Sequence, residues 1–312
     1  MLGNKQRNNF WGVLRDTLFF VEKGMKRIYL TWLLSLATAF VVAQSDSLTL
    51  LQGNWQIDTI ENGLIFKQIH FVNQEYFASN QNITILEILP EANTKLAFVS
   101  AHGRKHTSAM AIENNAIAAI NGTYFDMKNG RTICFMRING KNISTNVPQK
   151  SDAVHRKYYQ YGTLVLQDGK PIILKADSLR TWENSLPYTD IMTAGPLLLK
   201  DGQEEIYRHD RTFVTNRHNR TAIGIKADST VLLLTVDGRM EESAGMTLDE
   251  LCATMKWLGC QDVINMDGGG STTFYLHSNQ SDTAIVNYPT DNGKFDHQGE
   301  RRVANAILLL RK

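Results

Sequence analysis

Residues 247–272 read TLDELCATMKWLGCQDVINMDGGGST, and the period of the apolar side chains changes partway along the stretch. Leu248, Leu251, Cys252, Met255 and Leu258 recur at helical spacing, which predicts a helix over 248–258 with one buried face. Thr247 stands at its N-cap, Glu250 three residues later completes a capping box, and Gly259 is the stop. The run from Asp262 to Met266 is short and apolar without alternation, the pattern of a strand covered on both faces. It delivers Asp267 into Gly268, Gly269 and Gly270, followed by Ser271 and Thr272. Strands dominate the rest of the reading, so the expected class is α+β: strand-rich mixed sheets with a few flanking helices, in one domain.

Upstream, near-alternation over Ile65–Val72 and the run Ile83–Leu89, stopped by Pro90, predict two strands, and Lys95–Ser100 a third. Thr107 is expected to cap a short helix reaching Asn114. Ala116–Ile120 then re-enters the sheet and delivers Asn121-Gly-Thr-Tyr-Phe-Asp126. Further strands are expected at Gly162–Gln167, Ile172–Lys175, Pro196–Leu199, Thr221–Lys226 and Val231–Val236. A last one, Val303–Leu310, is expected inside the sheet.

With 312 residues, 43% hydrophobic and 21% charged, the chain is neither disordered, collagen-like nor a multi-span membrane protein. Residues 1–43 read as a signal peptide: Lys26-Arg27 precede an apolar run from Ile28 that ends in Val41-Val42-Ala43, with cleavage expected at Ala43–Gln44. A start at Met25 would place the basic residues at once, and a retained signal anchor is the alternative. Residues 44–82 are read as a β-rich lead-in. The leader carries six basic and two acidic side chains, so the remainder holds 27 basic against 29 acidic residues. That balance gives no electrostatic case for nucleic acid. Export to a periplasmic or extracellular location follows, with no stable membrane insertion after cleavage. Cys134, Cys252 and Cys260 form no disulfide framework.

Several common chemistries are absent from the sequence. There is no H-E-x-x-H, no spaced Cys/His cluster, no G-x-S-x-G elbow, and the glycine run lacks the Lys of an NTPase loop. Three strand-end junctions remain. At Asp267–Thr272, consecutive glycines let backbone N–H groups approach an anion beside a carboxylate, with two hydroxyls adjacent. A tight structural turn is the alternative. At Asn121–Asp126, Gly122 permits an unusual backbone angle, while Tyr124 and Phe125 offer flat faces for a sugar ring. Arg220 directly precedes an apolar strand, near Arg217 and His218, and can clamp a phosphate. Asp237-Gly238-Arg239 and Glu300-Arg301 add charged strand ends.

Asn121-Gly-Thr-Tyr-Phe-Asp, Gly195-Pro196, Arg220-Thr-Ala-Ile-Gly, Asp237-Gly-Arg, Gly245-Met-Thr-Leu, Asp267-Gly-Gly-Gly-Ser-Thr and Glu300-Arg301 occur in this order. The series resembles the phosphodiester glycosidase family over residues 83–312. The resemblance implies a hydrolase that cleaves an N-acetylglucosamine-1-phosphodiester-like bond and releases the sugar from a phosphorylated glycan. It implies a site of Asn121, Arg220, Asp237, Asp267, Gly268, Gly269, Gly270, Ser271, Thr272, Glu300 and Arg301, to which Gly122 and Tyr124 are added as substrate contacts. Asp267 is the first choice for the reacting carboxylate, Glu300 the second and Asp126 the third. Two departures from the family pattern stand out: Arg302 where a proline is common, and Thr123 where a second glycine is common. Alternatives are a binding module for envelope glycans without turnover, or a phosphodiesterase assisted by a divalent cation on Asp237 and Asp267.

Overall fold

Along the chain, β1 (Gln56–Glu61), β2 (Leu64–Tyr76), β3 (Ser79–Ile88) and β4 (Thr94–Lys105) lead to helix α1 (Thr107–Glu113). Then come β5 (Ala118–Asn121), β6 (Met136–Ile138), β7 (Lys141–Ser144), β8 (Gly162–Gln167) and β9 (Lys170–Lys175). These are followed by β10 (Asp190–Ala194), β11 (Leu197–Lys200), β12 (Gln203–Glu204) and the short helix α2 (Arg211–Thr215). The remainder holds β13 (Arg220–Lys226), β14 (Val231–Val236), α3 (Leu248–Trp257), β15 (Cys260–Asn265), β16 (Phe274–Leu276) and β17 (Val303–Arg311). The computed structural model describes residues 46–148, 156–205, 211–277 and 284–312. The expected leader over 1–43, with Met25 and the Ala43–Gln44 bond, lies outside the described residues.

Residues Leu50–Lys312 form one compact unit. An eight-stranded sheet runs β1-β2-β3-β14-β13-β15-β11-β12, a five-stranded sheet β7-β6-β10-β8-β9, and a four-stranded sheet β16-β5-β17-β4. All their ladders are antiparallel. β1 and β2 continue the large sheet outward from β3, joining the lead-in residues to the region that carries the motifs.

Alternate side chains along each central strand enter different cores, which explains the continuous apolar runs. Leu233, Ile223 and Ile264 pack with Phe98, Ile120 and Ile307 of the small sheet and with Leu164 and Met192 of the five-stranded one. Their neighbours Leu232, Leu234, Ala222 and Val263 face the other way, onto Leu248, Leu251, Cys252 and Met255 of α3. The small sheet repeats the device, since Ala119, Ala306 and Leu308 meet Met110 and Ala111 of α1. The layers are therefore helix, large sheet, two smaller sheets and helix. Period-two strands covered on both faces need apolar residues at every position.

α3 carries the predicted capping box, with Glu250 N–H donating to Thr247 Oγ1 and Thr247 N–H to Glu250 Oε2. The Thr107 cap is corrected. His106 occupies the N-cap without a side-chain bond, and Thr107 is the first helical residue, fully buried. β17 lies between β5 and β4, inside its sheet. The three cysteines are buried and form no disulfide. Among the described residues, no helix is long and apolar enough to cross a membrane.

Candidate active site

The antiparallel pairing of β13 with β14 sets Arg220 opposite Val236, so the residues before one strand and after the other are neighbours. β15 lies on the far side of β13, with Asn265 opposite Ala222. The start of β13, the end of β14 and the end of β15 thus meet at one end of the large sheet's central strands. There they enclose a cavity of about 180 Å³ lined by Tyr124, Phe213, His218, Asn219, Arg220, Arg239, Asn265, Asp267, the three glycines and Arg301.

Each glycine of the bend is required by a different neighbour. A Cβ on Gly268 would lie 2.6 Å from the Asn219 carbonyl oxygen, and one on Gly269 would lie 2.8 Å from Arg239 Nη2. One on Gly270 would collide with the Arg301 guanidinium. Gly269 also has φ +60°, which glycine adopts without steric cost. The expected cradle of free N–H groups is corrected, because the bend uses most of them itself. Gly268 N–H donates to Asp267 Oδ1 (3.0 Å) and Gly269 N–H to Asn219 O (2.9 Å). Ser271 and Thr272 N–H donate to Gly268 and Gly269 carbonyls (3.2 and 3.1 Å). The Ser271 and Thr272 side chains are buried and do not line the cavity. Cations close on this bend instead of backbone amides.

Asp267 is half-buried in the cavity. Burial pushes its carboxyl up to about 6, against the opposing pull of the Ser271 hydroxyl, the Gly268 N–H, Arg301 and Arg239. Asn121 fixes the backbone that carries this carboxylate: its Nδ2 donates to the Asp267 main-chain carbonyl (2.6 Å), and its Oδ1 accepts from Thr221 Oγ1 (2.8 Å). Gly122 makes no unusual angle; it is small because Asn305 presses against its Cα, and its carbonyl accepts Asp267 N–H at 3.1 Å. Tyr124 lines the cavity with its hydroxyl donated to Gly195 O (2.7 Å), whereas Phe125 is in the core around α1. Thr123 is buried with its hydroxyl on Thr193 O, so it does not narrow the cavity.

Arg220 is buried, and it donates to the Met246, Phe213 and Asn216 carbonyls at 2.8, 3.0 and 3.0 Å. Burial, with Arg239 nearby, depresses its guanidinium to about 10. Arg301, not Arg302, lines the cavity, and both its Nε and Nη2 donate to Asp291 Oδ1.

Three expected residues do other work. Glu300 accepts Ser108 N–H (2.8 Å) and Ser108 Oγ–H (2.6 Å), capping α1 in place of Thr107. Asp126 closes its own turn by accepting from Lys128 N–H (2.8 Å) and Asn129 Nδ2 (2.7 Å). Asp237 is fully buried and accepts from Asn287 Nδ2 (2.7 Å), Asn82 Nδ2 (2.8 Å) and Tyr288 N–H (2.9 Å). None of the three lines the cavity. Asp237 and Asp267 also do not fit a shared cation. Both oxygens of Asp237 already accept hydrogen bonds, three in all, and among the described residues no three His, Cys, Asp or Glu side chains converge.

The sequence reading quoted Arg239 and His218 without giving either a role in the site, and it passed over Asn219, Phe213 and Asn265. The short β13–β14 connection was the available signal, since a hairpin brings the residues just outside its two open ends together. A larger cavity of about 440 Å³ lies at the opposite ends of the same strands, walled by Ile88, Pro171, Ile225, Val231 and Leu309, with Lys95, Asp168, Lys170 and Lys312 also in its lining.

The sequence model of the phosphodiester glycosidase family matches residues 114–310. N-acetylglucosamine-1-phosphodiester alpha-N-acetylglucosaminidase of Bos taurus is 24% identical over 187 residues, 56% of this chain and 33% of its own length. The SPbeta prophage-derived protein YomE of Bacillus subtilis is 31% identical over 106 residues, 29% of this chain and 16% of its own. The chain therefore spans a third or less of these relatives. The catalytic domain of the zebrafish enzyme, solved in a form auto-inhibited by its pro-peptide, superposes with TM-score 0.62 at 18% identity. That match covers 83% of this chain and 88% of the domain. A hypothetical protein from Synechocystis gives TM-score 0.59 at 15% identity, covering 83% and 64% of the two chains. With the family match spanning well over half the chain, and the glycine bend, Asp267 and the arginines joined in one cavity, this protein belongs to the phosphodiester glycosidase family.

Proposed function

We propose that this protein is an exported hydrolase that cleaves a sugar-1-phosphodiester, of the N-acetylglucosamine-1-phosphodiester kind, and releases the sugar from a phosphorylated glycan. The observation that carries the reading is the glycine bend stripped of side chains where Arg239 and Arg301 approach, with the Asp267 carboxylate in the same cavity. Charge supports it. Arg220, Arg239 and Arg301 against Asp267 and the Arg301-bound Asp291 leave one net positive charge, which matches the single negative charge of a phosphodiester. Export rests on the leader-like residues 1–43.

A phosphate leaving group is a weak base, so protonating it contributes less than in an ordinary glycoside. The main requirement is to stabilise charge on the departing phosphate and on an oxocarbenium-like ring. Arg239 and Arg301 would hold the phosphate, with Arg220 adding field from below. Asp267 would act at C1, as nucleophile or as base for water. Its raised pKa leaves it ionised only above about pH 6.

Hydrolysis of UDP-N-acetylglucosamine or a nitrophenyl-tagged sugar phosphodiester in oxygen-18 water tests the proposal. Free sugar carrying the label is expected. Label in the phosphate would mean phosphorus–oxygen cleavage, and saturable binding without free sugar would make the protein a binding module.

A further inference from the structure

His218 is held more tightly than a surface loop requires. Its N–H donates to Met246 O (3.2 Å) and its carbonyl accepts Met246 N–H (3.0 Å). Gly238 and Gly245 both press on this backbone: a Cβ on Gly238 would lie 2.7 Å from Asn219 N, and one on Gly245 would strike the His218 carbonyl. The ring is half-buried, lines the cavity and turns Nδ1 toward Arg239, whose Nε and Nη2 lie 3.4 and 3.3 Å away.

A guanidinium has donors and no acceptor, so the nitrogen facing it must offer a lone pair. Nδ1 is therefore unprotonated, and the single proton of the neutral ring sits on Nε2. We propose that His218 contacts the substrate as a neutral donor, giving Nε2–H to a phosphate oxygen of the bound phosphosugar, and that it is not the general base. The assignment deepens the hydrolase reading and rests on it for the identity of the acceptor.

The surroundings support the neutral form. Arg220 faces the ring from β13 and Arg239 from the end of β14, while Asp267 after β15 and Arg301 before β17 share the cavity. Burial and the two nearer guanidiniums depress the imidazole to about 4. A second proton would add a positive charge beside two others. With Nδ1 committed to Arg239 and Nε2 already protonated, neither nitrogen has a lone pair free to take a proton from water. Asp267 is left as the base or nucleophile.

Long-range proton–nitrogen correlation spectra of the full chain labelled with 15N-histidine read the tautomer directly, with His218→Gln identifying the signal. The Nε2–H tautomer is expected from pH 5 to 8. The Nδ1–H tautomer, or titration between pH 6 and 7, would overturn the proposal. Adding inorganic phosphate should shift the Nε2–H resonance and saturate; no shift would overturn it as well. These readouts need no turnover, so a wild-type protein that releases no sugar sinks the hydrolase reading alone. On a hydrolysed phosphodiester, His218→Ala should lower kcat/KM about tenfold or more, the loss expected for a transition-state hydrogen bond. His218→Gln, which keeps an N–H donor, should recover most of it. Equal losses in both variants, with a limb missing from the pH profile, would make the imidazole a titrating base and refute the assignment.

Discussion

Single atoms decide what the glycine bend tolerates. The neighbour facing Gly268 is a backbone carbonyl, whereas those facing Gly269 and Gly270 are the tips of long side chains. Gly268→Ala should therefore cost about 1–3 kcal/mol of stability, as overpacking against fixed backbone does. Gly270→Ala should melt close to wild type while displacing the Arg301 guanidinium, so that kcat/KM falls and Tm does not. Melting curves and kinetics on the two variants separate these outcomes, and a Gly270→Ala variant with full activity would remove Arg301 from phosphate binding. Asp267 gives a prediction with a sign. Its folded pKa is above the ordinary carboxylate value, so its contribution to stability is intact below about pH 4 and is lost as pH rises through 6. Activity that needs the ionised form runs the opposite way and should fall below pH 6. Asp267→Asn should thus be inactive yet at least as thermostable as wild type above pH 6. A melting point that drops on this substitution would mean the carboxylate is structural.

At the scale of elements, the question is why charged strand ends that look alike do different work. Glu300 and Arg301 are adjacent, but one side chain turns to the N-terminus of α1 and the other to the cavity. Glu300→Ala should cost about 1 kcal/mol through the lost cap and leave kcat near wild type. A hundredfold fall in kcat would return Glu300 to the mechanism. Asp237 directly follows β14 and ties it to Asn82 of β3 and to the segment at Asn287–Tyr288. Asp237→Ala would leave three buried N–H donors unpaired, each costing about 1–3 kcal/mol. Unfolding, measured by denaturant titration, is therefore expected before any specific loss of substrate binding.

Over the whole molecule, the long apolar strands and α3 were legible because burial on both faces and helical spacing leave a local record. β6, β7 and β10 were not, since each spans five residues or fewer and the hairpins β6–β7 and β8–β9 become one sheet only through β10. The same divide runs through the candidate site. Asp267, Arg220 and Arg301 announce themselves as charges close to strand ends. Glu300, Asp126 and Asp237 carry the same local signature, and only the fold shows that their oxygens are already occupied. Arg239 and His218, noted in the sequence without a role, needed the β13–β14 register to be placed in the cavity.

β17 is the last strand of the chain, yet it pairs on one side with β5 and on the other with β4, and Arg301 stands two residues before it. During synthesis the two flanking strands emerge some two hundred residues before the strand that must fit between them. Until it arrives, they expose edges with no partner, which are sites for wrong pairing. The nascent protein therefore cannot assemble its cavity progressively from the N-terminus. The cavity closes late, once β17 is available to pair with both of its neighbours.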